Sequence, residues 1–290
     1  ELTMQLDDFA ERVLKPRVSQ LASSVDADVA TAYKGIYNSV GTPGTTPATS
    51  LVLLQAQQKL NEFATPMNPR YATVNPAANA GLVEGLKGLF NPTGTISRQF
   101  KNGMMGEGVL GLDEINMSQS IVQHTTGVTP TAPIVATTVT TQGSTSLAIS
   151  FTSGSPTFKV GDVFTIGSVF AVNPQTRQTT GSLQQFVVTA DVTVSSGTTA
   201  TLTVSPAMYT STNALATINA FPASSAVLTF LGGSATAYPQ NLIYHKDAIS
   251  LATADLILPT GVDMASRQVH NGISLRIVRQ YDINNDRLPC

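Results

Sequence analysis

The chain has 290 residues, 42% hydrophobic and only 12% charged, and 16 Lys and Arg against 18 Asp and Glu give a net charge of −2. That length holds one large domain or two to three smaller ones with a real core, while the low charge and high apolar and hydroxyl content exclude a disordered chain and argue against a basic nucleic-acid binder. The single cysteine, Cys290, allows no internal disulfide framework or cysteine zinc site, and no apolar run approaches the roughly 18 residues that span a bilayer.

Residues 4–39 read as helix. Phe9, Val13, Leu14, Val18, Leu21, Val25, Val29, Tyr33 and Ile36 recur mostly three or four apart. Asp7 and Asp8 are placed to cap its start. Pro16 lacks an N–H, which predicts a kink there or a second helix starting near it. From Pro16 the helix would run about 20 residues, near 30 Å. Gly41 to Pro47 is a turn-rich loop. Residues 50–63 form a second helix, with Ser50 as cap and Pro66 as stop. Tyr71–Val74 is a short strand ended by Asn75-Pro76. Residues 77–90 are a third helix, with Leu82, Leu86 and Phe90 on one face. After a Gly- and Asn-rich stretch, Leu112–Val122 has strand character, with Ile115 and Met117 alternating with polar residues.

The composition changes near residue 129. From there to 235 the only charged residues are Lys159, Asp162, Arg177 and Asp191. Short β-branched runs recur at 134–141, 146–151, 163–166, 185–194, 200–204 and 226–231, with turn residues between them. This is the pattern of a small all-β barrel or sandwich. Ordinary composition returns after 236. Asn241–His245 reads as a strand, 247–256 as a short helix, and 272–281 as a strongly alternating strand. The simplest organisation is an α+β host in two pieces with an all-β module inserted.

Few residues suggest chemistry. Gly106, Gly108 and Gly111 match the spacing of a dinucleotide-binding glycine motif, but no strand precedes them and no helix follows, so they read as a bend. His124, His245 and His270 lack metal-ligand spacing; His245 and Asp247 could pair across one strand face. Asp113-Glu114 and Asn285-Asp286 read as surface pairs. No Gly-x-Ser-x-Gly elbow stands in a strand-to-helix context. We therefore read the chain as no enzyme and assign it no cofactor. Glu11, Arg12, Lys15 and Arg17 cluster on the first helix, and Arg276 and Arg279 lie near the other end. These charges suit a solvated face or ion pairs across a subunit interface, and we carry them as candidate interface residues.

Several stretches, in this order, resemble the major capsid proteins of tailed bacteriophages with the HK97 fold, in the P22 coat-protein branch with an inserted domain. Residues 1–12 look like the end of an extended loop running into a spine helix. Arg70-Tyr-Ala-Thr-Val-Asn-Pro76, then Gly103–Gly111 and Asp113–Ser120, look like the approach to the insertion. Phe158–Ile166 resembles the opening of the inserted barrel, and Asn241–Ile249 the return to the host. The resemblance implies a spine helix over 1–40, an axial domain over 41–128 and 236–271, an inserted barrel over 129–235 and a peripheral-domain strand over 272–290. It implies a shell of pentamers and hexamers around double-stranded DNA, bound without sequence specificity, in the virion and assembled in the host bacterial cytoplasm. Scaffolding and portal proteins, and a decoration protein, are the implied partners; a membrane is not. It carries over no catalytic residue. An encapsulin-like compartment shell and a secreted β-rich adhesin or fibre protein are the alternatives.

Overall fold

A computed structural model describes residues 15–85, 103, 106–270 and 273–287. The chain forms two compact units, Glu1–Ala248 and Ile249–Cys290.

The first unit begins with helix α1, Lys15–Ala30, which tightens into a 3₁₀ turn over Thr31–Gly35. Pro16 is the second described residue of this helix. The expected residues 4–14 lie outside the described residues. Helix α2, Ser50–Glu62, has Thr49 at its N-cap position, extended and with no side-chain cap bond; Ser50, the expected cap, is already helical. It buries Leu53 and Ala56. Strand β1, Arg70–Val74, leads through Asn75 into helix α3, Pro76–Gly85. Asn75 Oδ1 accepts the Ala78 amide at 2.9 Å, so Asn75 caps α3 and Pro76 takes the first helical position. Leu86 and Phe90, expected on the same face as Leu82, lie outside the described residues.

Strands β2, Gly106–Val109, and β3, Leu112–Met117, form a hairpin. Its two turn residues, Leu110 and Gly111, have φ of +54° and +72°, as a two-residue hairpin turn of this hand requires. The glycine-spaced segment is thus a hairpin and opens no helix. With β14, Leu242–His245, these strands form a four-stranded sheet in the order β14-β1-β3-β2. Strands β1 and β3 run parallel and the outer pairs antiparallel. Its core joins Leu53, Ala72, Val74, Ala78, Leu82, Leu112 and Ile115. Met117, expected to alternate inward, is 41% exposed; Leu112 and Ile115 do the packing instead.

Between β4, Gln123–Thr125, and β13, Ala237–Pro239, lies the β module. These two strands pair antiparallel, so the chain enters and leaves the module side by side. Inside it, β5 (Ile134–Val135), β6 (Ser144–Ser150), β8 (Val163–Val172), β9 (Thr179–Val188), β11 (Thr199–Met208) and β12 (Leu228–Phe230) form a six-stranded sheet, order β12-β8-β9-β11-β6-β5. A bridge between Ile134 and Val227 joins the first strand to the last and closes the ring. Strands β7, Thr157–Phe158, and β10, Val192–Thr193, make a small separate pair. Closure removes the exposed sheet edges that a Thr- and Val-rich module would otherwise present. The interior is packed by Leu147, Ile149, Phe164, Ile166, Phe186, Leu202 and Met208, each fully buried. The strand expected over 134–141 stops at Val135; beyond it the Val139 amide turns to the Pro222 carbonyl.

In the second unit, β15 (Met264–His270) pairs antiparallel with β16 (Ile273–Arg279). The helix expected over 247–256 is absent. Residues 251–258 carry no regular secondary structure and are exposed, so a short helix there would lack the apolar packing that sustains one. Guanidinium groups take up the carbonyls instead: Arg267 Nη1 donates to Leu256 O at 3.0 Å, and Arg276 donates to Ile257 O.

Candidate assembly surfaces and the root of the β module

Of the charges singled out in the sequence, Glu11 and Arg12 lie outside the described residues. Lys15 starts α1, and Arg17 is exposed in its first turn. Arg276 is exposed, and Arg279 is bound within its own unit, its Nη2 and Nε 2.6 and 2.8 Å from Asp263 Oδ2. His245 Nδ1 and Asp247 Oδ2 stand 3.7 Å apart where β14 turns away, a surface pair.

Apolar side chains accompany these charges on the surface. On α1, Val18 and Leu21 are exposed although the helical spacing predicts a buried stripe. On α2, Leu51 and Leu54 are exposed opposite the buried Leu53. In the second unit, Ile257 and Ile283 are 81% and 80% exposed, with Ile277 and Tyr281 also open. Scattered apolar residues are ordinary on a surface; two of these sets follow regular elements, and that needs a reason.

A buried polar cluster lies where the module joins the host. Tyr33 on the 3₁₀ turn, His124 on β4 and Asp162 on the turn before β8 are 8%, 7% and 4% exposed. The Tyr33 hydroxyl lies 3.0 Å from His124 Nδ1, and His124 Nε2 lies 2.9 Å from Asp162 Oδ1. With Nε2–H donated to the carboxylate, Nδ1 of the neutral ring accepts the phenol proton. Burial, and then the Asp162 charge, hold the Tyr33 hydroxyl above its ordinary pKa and so keep it a donor. Asp162 also accepts the Lys159 amide at 2.7 Å and the Gly127 amide at 3.1 Å. Two glycines make room. A Cβ on Gly127 would sit 1.8 Å from the Thr157 carbonyl oxygen, and one on Gly161, which has φ of +103°, would sit 3.0 Å from His124 Cε1.

Other bonds join module to host. The Gln185 side chain reads the Ser39 backbone twice, accepting its amide and donating to its carbonyl, each at 2.9 Å. Asn173 Nδ2 donates to the Glu62 carbonyl at 2.7 Å, holding the β8–β9 turn against the end of α2. The sequence gives little sign of these pairings, because their partners are 91, 111 and 146 residues apart. The one available signal is that Asp162 is a carboxylate in a module almost free of charge.

A Tyr-His-Asp series can relay protons in a catalytic site; the space beside this one is small. The adjoining cavity, lined by Gly127, Thr157, Asp162 and Gly232 among others, holds about 10 Å³, room for about one water. Among the described residues no group of three or more His, Cys, Asp and Glu could hold a metal ion. None of their helices is long and apolar enough to cross a membrane.

A β barrel is thus fastened by a buried polar root to an α+β host that leaves apolar side chains outside. The sequence matches the family model described as P22 coat protein, gene protein 5, over residues 3–290, and the chain belongs to that family. Its role is therefore that of a phage capsid structural protein. Among solved structures, the CUS-3 coat protein I-domain is 28% identical; the match covers 36% of this chain and 97% of that one, with a TM-score of 0.27. A comparison with curated proteins finds no match.

Proposed function

We propose that this chain is a major capsid protein of HK97 layout, whose copies assemble as pentamers and hexamers into an icosahedral shell around double-stranded phage DNA. The family match over residues 3–290 carries this reading. In it, residues 1–40 contribute the spine helix, 41–128 and 236–271 the axial domain, 129–235 the inserted barrel and 272–290 part of the peripheral domain. Scaffolding and portal proteins would guide assembly in the host cytoplasm, and a decoration protein could bind outside. The site found here is a joint and a set of surfaces, and the reading assigns no catalysis to it.

Physical features of the chain support the reading. A shell repeats each contact many times by symmetry, so modest contacts suffice. A net charge of −2 leaves no strong field to grip phosphates, which suits a wall that encloses DNA without reading its sequence. The exposed apolar residues of α1 and α2 would be covered by neighbouring copies.

The interface role of Glu11, Arg12, Lys15, Arg17, Arg276 and Arg279 is tested by Arg17→Glu in the full-length protein expressed with its scaffolding partner. Because Arg17 is exposed, the variant should keep the stability of the free subunit within about 0.5 kcal/mol of wild type. Rate-zonal sedimentation should show fewer or no closed particles. Normal particle yield would remove Arg17 from the interface.

A further inference from the structure

The side chains of Tyr33, His124 and Asp162 link three segments that are distant in sequence. The steps span 91 and 38 residues, and the three groups are all more than nine-tenths buried. Each end is tied to backbone. Tyr33 belongs to the 3₁₀ turn that finishes α1, and its carbonyl accepts the Ile36 amide at 2.9 Å. Asp162 organises its own turn and β4's exit, through the amides of Lys159 and Gly127. The rings of Tyr33 and His124 meet edge to face, centroids 5.5 Å apart. Gly161 lets them do so: a Cβ there would lie 3.3 Å from Tyr33 Cε2 as well as against His124. Upstream, Val18 and Leu21 of α1 are exposed. The helix is thus tied at its end and exposes apolar side chains earlier along it.

We infer that Tyr33, His124 and Asp162 act as a latch, coupling the direction in which α1 leaves the host to the order of the Lys159–Asp162 turn and of the neck at Gly127. A displacement of α1 that withdraws the Tyr33 hydroxyl leaves His124 Nδ1 without its buried partner, and the ring loses the contact that aims Nε2 at Asp162. A buried polar group stripped of its partner is costly, so the parts move together or stay together. The coupling is reciprocal by necessity: loosening the Asp162 turn must free the end of α1 by the same factor. The latch belongs to the single folded chain, so its test is independent of whether copies assemble.

The test is amide hydrogen exchange on the unassembled full-length subunit. Tyr33→Phe removes one hydroxyl and keeps the ring. It should speed exchange at the Gly127 and Lys159 amides by about fivefold or more, the lower end of ordinary coupling between sites. Asp162→Asn should speed exchange at Ile36 by a similar factor. Where Asp162→Asn fails to fold, His124→Gln replaces it, and the Tyr33→Phe/His124→Gln double variant should match His124→Gln alone. Tyr37→Phe is the control, since Tyr37 packs edge to face on Phe63 at 5.9 Å, outside the series; it should leave Gly127 and Lys159 unchanged. Exchange that rises only beside each substitution, a double variant whose effects add, or equal loosening by Tyr37→Phe would each overturn the latch.

Discussion

Single residues decide the joint. Gly127 has no room for a side chain, because the Thr157 carbonyl oxygen and Asp162 Oδ2 stand 1.8 and 2.9 Å from where its Cβ would be. Gly127→Ala forces backbone apart at a buried carboxylate and should cost about 3 kcal/mol, the upper range for overpacking, read as a lower urea midpoint. Titration gives two further expectations. Asp191 accepts the Val160 amide at 2.8 Å, with Lys159 Nζ 3.5 Å away, and together these hold its carboxyl below the ordinary value. A depressed folded pKa contributes stability above the unfolded value, about 3.9, and loses it as pH falls through the folded one. Asp191→Asn should therefore differ from wild type at neutral pH and converge with it in acid, as denaturation at several pH values would show. Tyr37 runs the other way. Burial raises its pKa, so its contribution is full below about 10 and fades as pH rises through the folded value; Tyr37→Phe should flatten the alkaline loss of stability. Nothing near Gly127 in the sequence announces any of this, since a tight approach between residues 127 and 157 exists only once the module has folded back on its neck.

Elements were more legible than joints. The turns at Gly143, Gly181 and Gly232 and the β-branched runs between them announce the barrel, because alternation and turn chemistry are local. Its closure was not legible, since the Ile134–Val227 bridge rests on pairing between distant segments. The barrel's stability rests on its aromatic interior. Phe164 stacks on Phe186 at 5.8 Å and lies 5.2 Å from Phe230. Phe164→Ala should cost about 3–5 kcal/mol, measured by denaturant unfolding. Helix α3 reverses a familiar rule. Gly to Ala inside a helix ordinarily stabilises by up to about 1 kcal/mol, but a Cβ on Gly85 would stand 2.2 Å from the Ala48 carbonyl oxygen, and one on Gly81 2.5 Å from that of Pro47. Gly85→Ala should therefore destabilise, and a rise in melting temperature would show that the loop over α3 yields. Strand β15 escaped the sequence reading because Met-Ala-Ser-Arg-Gln has no β-branched run to mark it. The helix expected near 250 came from local periodicity with no packing behind it.

At the scale of the whole chain, the family match carries the functional reading and the surface accompanies it. Apolar residues on α1, on α2 and in the second unit are exposed among the described residues, while the barrel root binds module to host through buried and half-buried hydrogen bonds. Membership in the P22 coat protein family supports the proposal that neighbouring copies cover these features. The order of segments along the sequence already carried that resemblance; the partners' side of each contact could not be read from one chain. The most direct test is electron microscopy of the full-length protein expressed in bacteria with its scaffolding partner. The account predicts closed shells of uniform diameter built from pentamers and hexamers. A folded monomer that never forms shells would contradict it.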